Sequence, residues 1–248
     1  MGQLTGKRAW ITGGGSGIGA AAAQALAASG AEVIVSGRRA EPLEAVAETV
    51  RRAGGTASVK VLDVADHRAV AAAAEAIGGV DILLANAGSN VPDRSFAKVS
   101  DEGWDRVIGV NLSGVFYPVR AALPGMRARG GGLVILISSW AGRYATRLTG
   151  PAYNATKRAV LAVGESLNDE EGANGIRCTV IMPGEVATDI LKSRPVPPSQ
   201  EEMDRMLKVE DMAATIRFVA EMPPHVCLNE ILISPTWNRF YQGFKEAK

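Results

Sequence analysis

Short apolar runs, most of them rich in β-branched residues, recur at Arg8 to Ile11, Val33 to Val35, Val59 to Leu62, Ile82 to Leu84, Leu133 to Ile137, Ile176 to Ile181 and Ile231 to Ile233. Between them lie stretches with helical character: Ala20 to Ser29, Pro42 to Ala53, His67 to Ile77, Trp104 to Arg129, Pro151 to Glu171 and Glu210 to Glu221. The runs predict seven strands and the stretches the helices that connect them. Most of the strand runs are continuously apolar rather than alternating, the pattern of strands buried on both faces. They therefore predict an α/β fold, a doubly wound parallel sheet flanked by helices. In such a sheet ligands bind beyond the carboxyl ends of the strands, where the strand order reverses. Every chemically suggestive segment of this chain follows a strand, so all of them can converge on one crevice.

The chain has 248 residues, 47% of them hydrophobic, enough for one domain over 1–248 with a substantial core. Ser193 to Gln200, rich in Pro and Ser, is read as a mobile insertion within a substrate lid at about 185–208. Basic and acidic residues nearly balance, 27 against 26, with no dense basic block. That excludes nucleic acid and polybasic membrane contact and leaves small molecules as partners. No apolar run approaches the roughly 20 residues that cross a bilayer. Cys178 and Cys227 match no metal or redox spacing, so no metal site is expected. The first residues lack the apolar core of a signal peptide, and Gly6 stands where a myristoylation motif wants Ser or Thr. A cytoplasmic location is expected on that basis.

The segment Thr12 to Gly19, Thr-Gly-Gly-Gly-Ser-Gly-Ile-Gly, lies between the first strand and the first helix. Glycine permits positive φ and close backbone approach, and the helix amides and dipole face negative charge, as a dinucleotide pyrophosphate requires. Farther along come Asp63 after the third strand, Asn86-Ala87-Gly88 after the fourth, Asn111, Ser139, Tyr153-x-x-x-Lys157, and Pro183-Gly184 with Thr188. In this order and spacing the series resembles the short-chain dehydrogenase/reductase family. The resemblance implies a single Rossmann-type domain, a nicotinamide cofactor and reversible hydride transfer between an alcohol and a carbonyl. It assigns the cofactor to Thr12, Gly13, Gly15, Ser16, Gly17, Ile18 and Gly19 of the turn, to Asp63 and Val64, and to Asn86, Ala87 and Gly88. Pro183, Gly184, Val186 and Thr188 complete that set, with Thr188 toward the nicotinamide carboxamide. By the same resemblance Asn111 holds a water linked to Lys157, and Lys157 bonds the nicotinamide ribose. Asp63 by itself also reads as a turn residue at a strand end.

Reducing a carbonyl requires a proton donor, and Tyr153 supplies one if its acidity is raised. Lys157, four residues on along the same helix face, is expected to lower the phenol's pKa together with an oxidised nicotinamide. Ser139 is expected to hydrogen-bond the reacting oxygen, with Ser138 as the competing candidate. Ser139 precedes Tyr153 by 14 residues, one more than the family's common spacing, which points to an altered substrate loop.

After the second strand Gly37 stands where an NAD-preferring site carries an acid, and Arg38 and Arg39 follow. A guanidinium fork suits a 2′-phosphate, so NADP(H) is favoured; NAD(H), with both arginines solvated, is the alternative. The substrate wall is expected from Ser89 to Val99, Trp140 to Gly150 and Glu185 to Lys208. Trp140 and Tyr144 offer apolar surface there, and Arg143 or Arg147 could receive a substrate carboxylate. The segment from Asn229 to Trp237 is similar to the ending of bacterial NADP-dependent 3-hydroxy acid and serine dehydrogenases of the family. Trp237, Phe240 and Tyr241 are read as core and subunit-contact aromatics, with part of a neighbouring site as the alternative. The resemblance also implies a homodimer or homotetramer built through Trp104 to Arg129 and Pro151 to Glu171. The alternatives are a non-catalytic dinucleotide-binding regulator, which would not need Tyr153 and Lys157, and a sugar-nucleotide epimerase or dehydratase, which needs more chain after Thr188.

Overall fold

Seven strands carry the architecture: β1 (Arg8–Thr12), β2 (Glu32–Gly37), β3 (Thr56–Val61), β4 (Ile82–Ala85), β5 (Gly132–Ile137), β6 (Ile176–Pro183) and β7 (Glu230–Ile233). The computed structural model describes residues 2–194 and 196–242; Pro195, inside the segment read as a lid, lies outside the described residues. The strands form one sheet in the order β3-β2-β1-β4-β5-β6-β7, every pair parallel. This is the doubly wound Rossmann-type sheet that the apolar runs predict. Its order reverses at β1, which pairs with β2 on one side and β4 on the other.

The connecting helices are α1 (Gly17–Ala28), α2 (Ala40–Arg52), α3 (His67–Ile77), α4 (Asp101–Ile108), α5 (Gly114–Ala128), α6 (Trp140–Arg143), α7 (Pro151–Glu171), α8 (Gln200–Asp204), α9 (Val209–Glu221) and α10 (Arg239–Gln242). Alternation along each strand divides the core into two layers. Ala9, Ile11, Val33, Val35, Leu84 and Ile135 pack with α1, α2 and α9. Trp10, Ile34, Leu83, Val134 and Leu136 point the other way, against α3, α5 and α7. Each fully buried Leu or Ile among them contributes about 2 kcal/mol by leaving water. Edge strands β3 and β7 are the exception to two-sided burial, with Val61 and Leu232 exposed.

The predicted helix Trp104 to Arg129 is divided. It begins earlier, at Asp101, where the Ser100 hydroxyl accepts from the Gly103 N–H, and it widens into a π-turn at Gly109–Ser113 before α5 resumes. A π-turn inserts one residue into the helical period, so it rotates one side chain out of the expected stripe. Here that residue is Asn111, which is fully buried. Gly114 then lets the backbone pass close to Val64, since a Cβ there would stand 2.6 Å from Val64 Cγ2.

Candidate active site

The turn after β1 is fastened to the end of β4. Buried Thr12 accepts through its hydroxyl from the Asn86 N–H at 3.1 Å and the Ala87 N–H at 3.2 Å. The Asn86 amide returns donors to the carbonyls of Thr12 and Gly13, both at 3.1 Å. Gly13 has φ +65° and Gly17 φ +54°. A Cβ on Gly19 would lie 2.4 Å from the Gly13 carbonyl oxygen. Helix α1 starts at Gly17 rather than Ala20, with no side-chain cap from Ser16 and no acidic residue in its first turn. Its leading amides therefore face the crevice with a net positive potential, and the glycine backbone admits a close neighbour. These residues fit the pyrophosphate of a dinucleotide.

A cavity of about 320 Å³ opens in front of this cradle. Its lining includes Gly13, Ser16, Gly17, Ile18, Asn86, Ala87, Gly88, Ser139, Tyr153 and Lys157, with Pro183, Gly184, Val186 and Thr188 opposite. Thr12, Gly15 and Gly19 support the cradle from behind, Gly15 against Pro42 and Leu43. Arg38 and Arg39 lie exposed just beyond β2, outside the cavity. Asp63 and Val64 are also outside it: the Asp63 carboxylate accepts from the Ala65 N–H at 3.0 Å, and Val64 packs into the core. Asp63 thus performs the turn role that its strand-end position allowed.

The two serines after β5 separate cleanly. Ser138 donates to the Lys157 carbonyl at 2.7 Å and so ties α7 to the sheet. Ser139 caps α6 by accepting from the Ala141 N–H at 3.1 Å, and its hydroxyl favours the ionised form of the Tyr153 phenol. Helix α7 begins at Pro151, whose missing N–H is harmless at that position. Tyr153 leaves part of its surface open to the cleft, yet burial is the largest influence on its phenol and pushes the pKa up. The groups that pull it down are the Ser139 hydroxyl, then Arg194 and Arg94. The Lys157 ammonium stands 5.7 Å from the Tyr153 ring centre and donates to the Ile137 carbonyl at 2.8 Å. Asn111 accepts from the Ser89 N–H at 2.8 Å and donates to the Ser89 carbonyl at 2.9 Å, so its amide holds the loop after β4. A Cβ on Gly88 would come within 3.5 Å of Lys157 Nζ and 3.7 Å of Asn111 Oδ1, which brings these two residues to the same spot beneath the cleft.

Burial brings the Lys157 ammonium down from 10.5 to about 8. Between those values the unfolded chain holds a proton that the folded chain has released, so this residue's contribution to stability rises with pH. We expect the wild-type protein without dinucleotide to gain about 1 kcal/mol relative to Lys157→Met between pH 7 and pH 9 in urea unfolding. Parallel curves for the two proteins would contradict a buried ammonium at this position.

The substrate side departs from expectation. Trp140 is 3% exposed and lies behind the cavity, stacked on Phe240 with ring centres 5.8 Å apart. Phe240, expected in the core or at a subunit contact, lines the cavity, while Tyr144 is exposed. Arg143 pairs loosely with Glu230 at 3.9 Å, and neither it nor Arg147 lines the cavity. The arginines that do are Arg94, after β4, and Arg194, in the segment after β6. The loop carrying the extra residue before Tyr153 is stapled by Asn154, which accepts from the Thr149 hydroxyl at 2.5 Å and donates to the Thr146 carbonyl at 2.9 Å. Gly150, φ +76°, is required where the loop meets the Arg94 carbonyl, 2.1 Å from where its Cβ would be. The segment 185–208 borders the cavity through Val186, Thr188, Ile190 and Leu191 and is pinned at its base where Val186 pairs with Leu207.

The family model for short chain dehydrogenase matches residues 7–197. A glycine betaine reductase of Emericella nidulans is 38% identical over 94% of this chain, although the chain spans only 19% of that protein's length. An uncharacterized oxidoreductase of Staphylococcus aureus is 36% identical over 95% of this chain and 100% of its own. Among solved structures, the closed form of a serine dehydrogenase complexed with NADP+ superposes with a TM-score of 0.85 at 28% identity, covering 97% of this chain and 99% of that one. No helix among the described residues is long and apolar enough to cross a membrane.

Proposed function

Because this chain belongs to the short-chain dehydrogenase/reductase family, an NAD(P)-dependent oxidoreductase acting on CH–OH groups, we propose that it interconverts a small alcohol and its carbonyl with NADP(H), Tyr153 serving as general acid and base. The observation that carries this reading is the meeting of Ser139, Tyr153 and Lys157 in the cavity that the glycine cradle also lines. In reduction the phenol of Tyr153, kept neutral by burial, donates its proton to the substrate oxygen. Ser139, in the same cavity as that phenol, holds the same oxygen and fixes its direction. In oxidation the phenol must lose its proton, and the charges of Arg194 and Arg94 favour that change. Lys157 stays oriented by the Ile137 carbonyl, and Asn111 positions the loop at Ser89. Gly13, Ser16, Gly17 and Ile18 would hold the dinucleotide's phosphates, with Asn86, Ala87, Gly88 and Thr188 along its nicotinamide half. When bound, the cofactor supplies or takes up the hydride.

The preference for NADP(H) is assigned to Arg38 and Arg39, which follow Gly37 at the carboxyl end of β2 with exposed guanidinium groups. We expect Arg38→Ala to weaken NADPH roughly tenfold or more and to leave NADH within about twofold, since only the former carries the 2′-phosphate. Equal dissociation constants for the two cofactors in the wild type would remove this assignment. The same reading makes the chain a homodimer or homotetramer through α4, α5 and α7, where Trp104 and Phe116 lie exposed.

A further inference from the structure

Two guanidinium groups line the cavity that holds Tyr153, and neither belongs to the motif series. Arg94 is anchored at two nitrogens: its Nε donates to the Pro92 carbonyl at 3.3 Å and its Nη1 to the Leu148 carbonyl at 3.5 Å. Both partners are neutral, and among the described residues no carboxylate pairs with it. Arg194, 11% exposed, pairs with Glu185 through Nη1. That carboxylate is shared, because Arg239 takes it with Nε at 2.8 Å and Nη2 at 3.1 Å while also pairing with Glu202. Arg194 and Arg239 therefore already have carboxylate partners, whereas Arg94 has the two carbonyls. Asp189, the other acid in the lining, is not free.

Arg94 and Arg194 line one cavity, and the charge of each favours ionisation of the Tyr153 phenol. Arg94 is partly desolvated there, and a charge held away from water is costly unless a counter-charge completes the site. The donors that the two carbonyls leave over lie in the plane of its guanidinium, the geometry that matches a carboxylate. Ile190, Leu191 and Phe240 lie in the same lining beside Asn90 and Thr149, with Glu185 and Asp189 as its acids. That leaves room for a short carbon skeleton and little else, since the same cavity must admit the nicotinamide end of the cofactor.

We infer that Arg94 and Arg194 form a carboxylate subsite beside Tyr153, so that the substrate pair is a short-chain hydroxy acid and its oxo acid. This rests on the reading of Tyr153 as the acid–base group. In the oxidising direction the carbinol C–H leaves as hydride to the oxidised nicotinamide dinucleotide, the O–H proton goes to the Tyr153 phenolate, the C=O bond forms, and the carboxylate is unchanged. Glu185 is a positioning residue: it fixes Arg194 and balances part of its charge.

The test separates charge recognition from turnover. The NADPH-loaded protein is titrated calorimetrically with racemic lactate, 3-hydroxybutyrate and 4-hydroxybutyrate, and with the amide of each; with the cofactor reduced, none of them can be oxidised. We expect at least one acid to bind about tenfold or more tightly than its own amide. Arg94→Met and Arg194→Gln should each cut that preference to below about threefold while amide binding holds within about twofold, and Arg94→Lys should retain part of it. If Arg94→Met loses the amide as well, its loop has collapsed, and Arg94→Lys and Arg194→Gln decide the matter. No preference for any acid in the wild type, or a preference that survives both Arg94→Lys and Arg194→Gln undiminished, overturns the subsite. An intact acid preference in a protein that transfers no hydride would instead count against the role of Tyr153 and leave the subsite standing.

Discussion

Tyr153→Phe lowers kcat for carbonyl reduction by about 10² to 10⁴ while the dissociation constant of the dinucleotide stays within about threefold. The substitution removes one hydroxyl and keeps the ring beside which Lys157 sits, so the packing of α7 is preserved. What disappears is the phenolic donor, and with it the route by which charge on the substrate oxygen is neutralised. Because burial raises the pKa of this phenol, the proton is in place near neutral pH, and reduction needs no prior rearrangement of charge. Oxidation asks the opposite of the same group, so the oxidative rate should climb with pH over a range in which the reductive rate does not. Steady-state kinetics in both directions, with dinucleotide binding measured separately, checks the prediction. A variant with unchanged turnover would show that the proton travels by another group.

Gly19→Ala is expected to lower dinucleotide affinity by roughly 100-fold and stability by about 1 to 3 kcal/mol. The added carbon would stand 2.4 Å from the Gly13 carbonyl oxygen and 2.6 Å from the Asn86 amide nitrogen. Those two atoms are themselves hydrogen-bonded to each other at 3.1 Å, so neither can retreat without releasing the turn from β4. The start of α1 must then shift, and its amides with it. Gly172→Ala provides the contrast: that glycine is exposed, its φ is −56°, and nothing lies within 4 Å of the added carbon. Thermal melts and dinucleotide titrations of the two variants should diverge sharply. Equal affinity in both would mean that the glycine turn is not where the phosphates lie.

The middle of the sheet was legible because strands buried on both faces leave an unbroken apolar record, as in Leu133 to Ile137, and because Ser139 and Tyr153 follow in fixed order. The π-turn at Gly109–Ser113 was not, since one inserted residue hardly disturbs the apolar period of a long helix. Lys157 shows a different limit. Its spacing from Tyr153 puts both on one face of α7, but only the folded backbone reveals that the ammonium goes to the Ile137 carbonyl. The substrate wall was least legible. Arg94, the Glu185 to Arg194 segment and Phe240 come from three distant parts of the chain and meet only after the sheet is built, whereas Arg143 and Arg147 merely sit near Ser139 in sequence. An arginine in a loop carries no periodicity to mark it. The Ser89 to Val99 and Glu185 to Lys208 walls were anticipated as segments, though not the residues within them that matter.

The most direct test follows a labelled atom. NADPH deuterated at the reactive face of the nicotinamide ring is mixed with the wild-type protein and a carbonyl that it reduces, and the product is analysed by mass spectrometry after a single turnover, beside Tyr153→Phe. The account predicts one deuterium on the carbinol carbon of the wild-type product and the same transfer, slowed by about 10² or more, in the variant. Cofactor consumed with no deuterium in the product, or label transferred equally fast by both proteins, would contradict it.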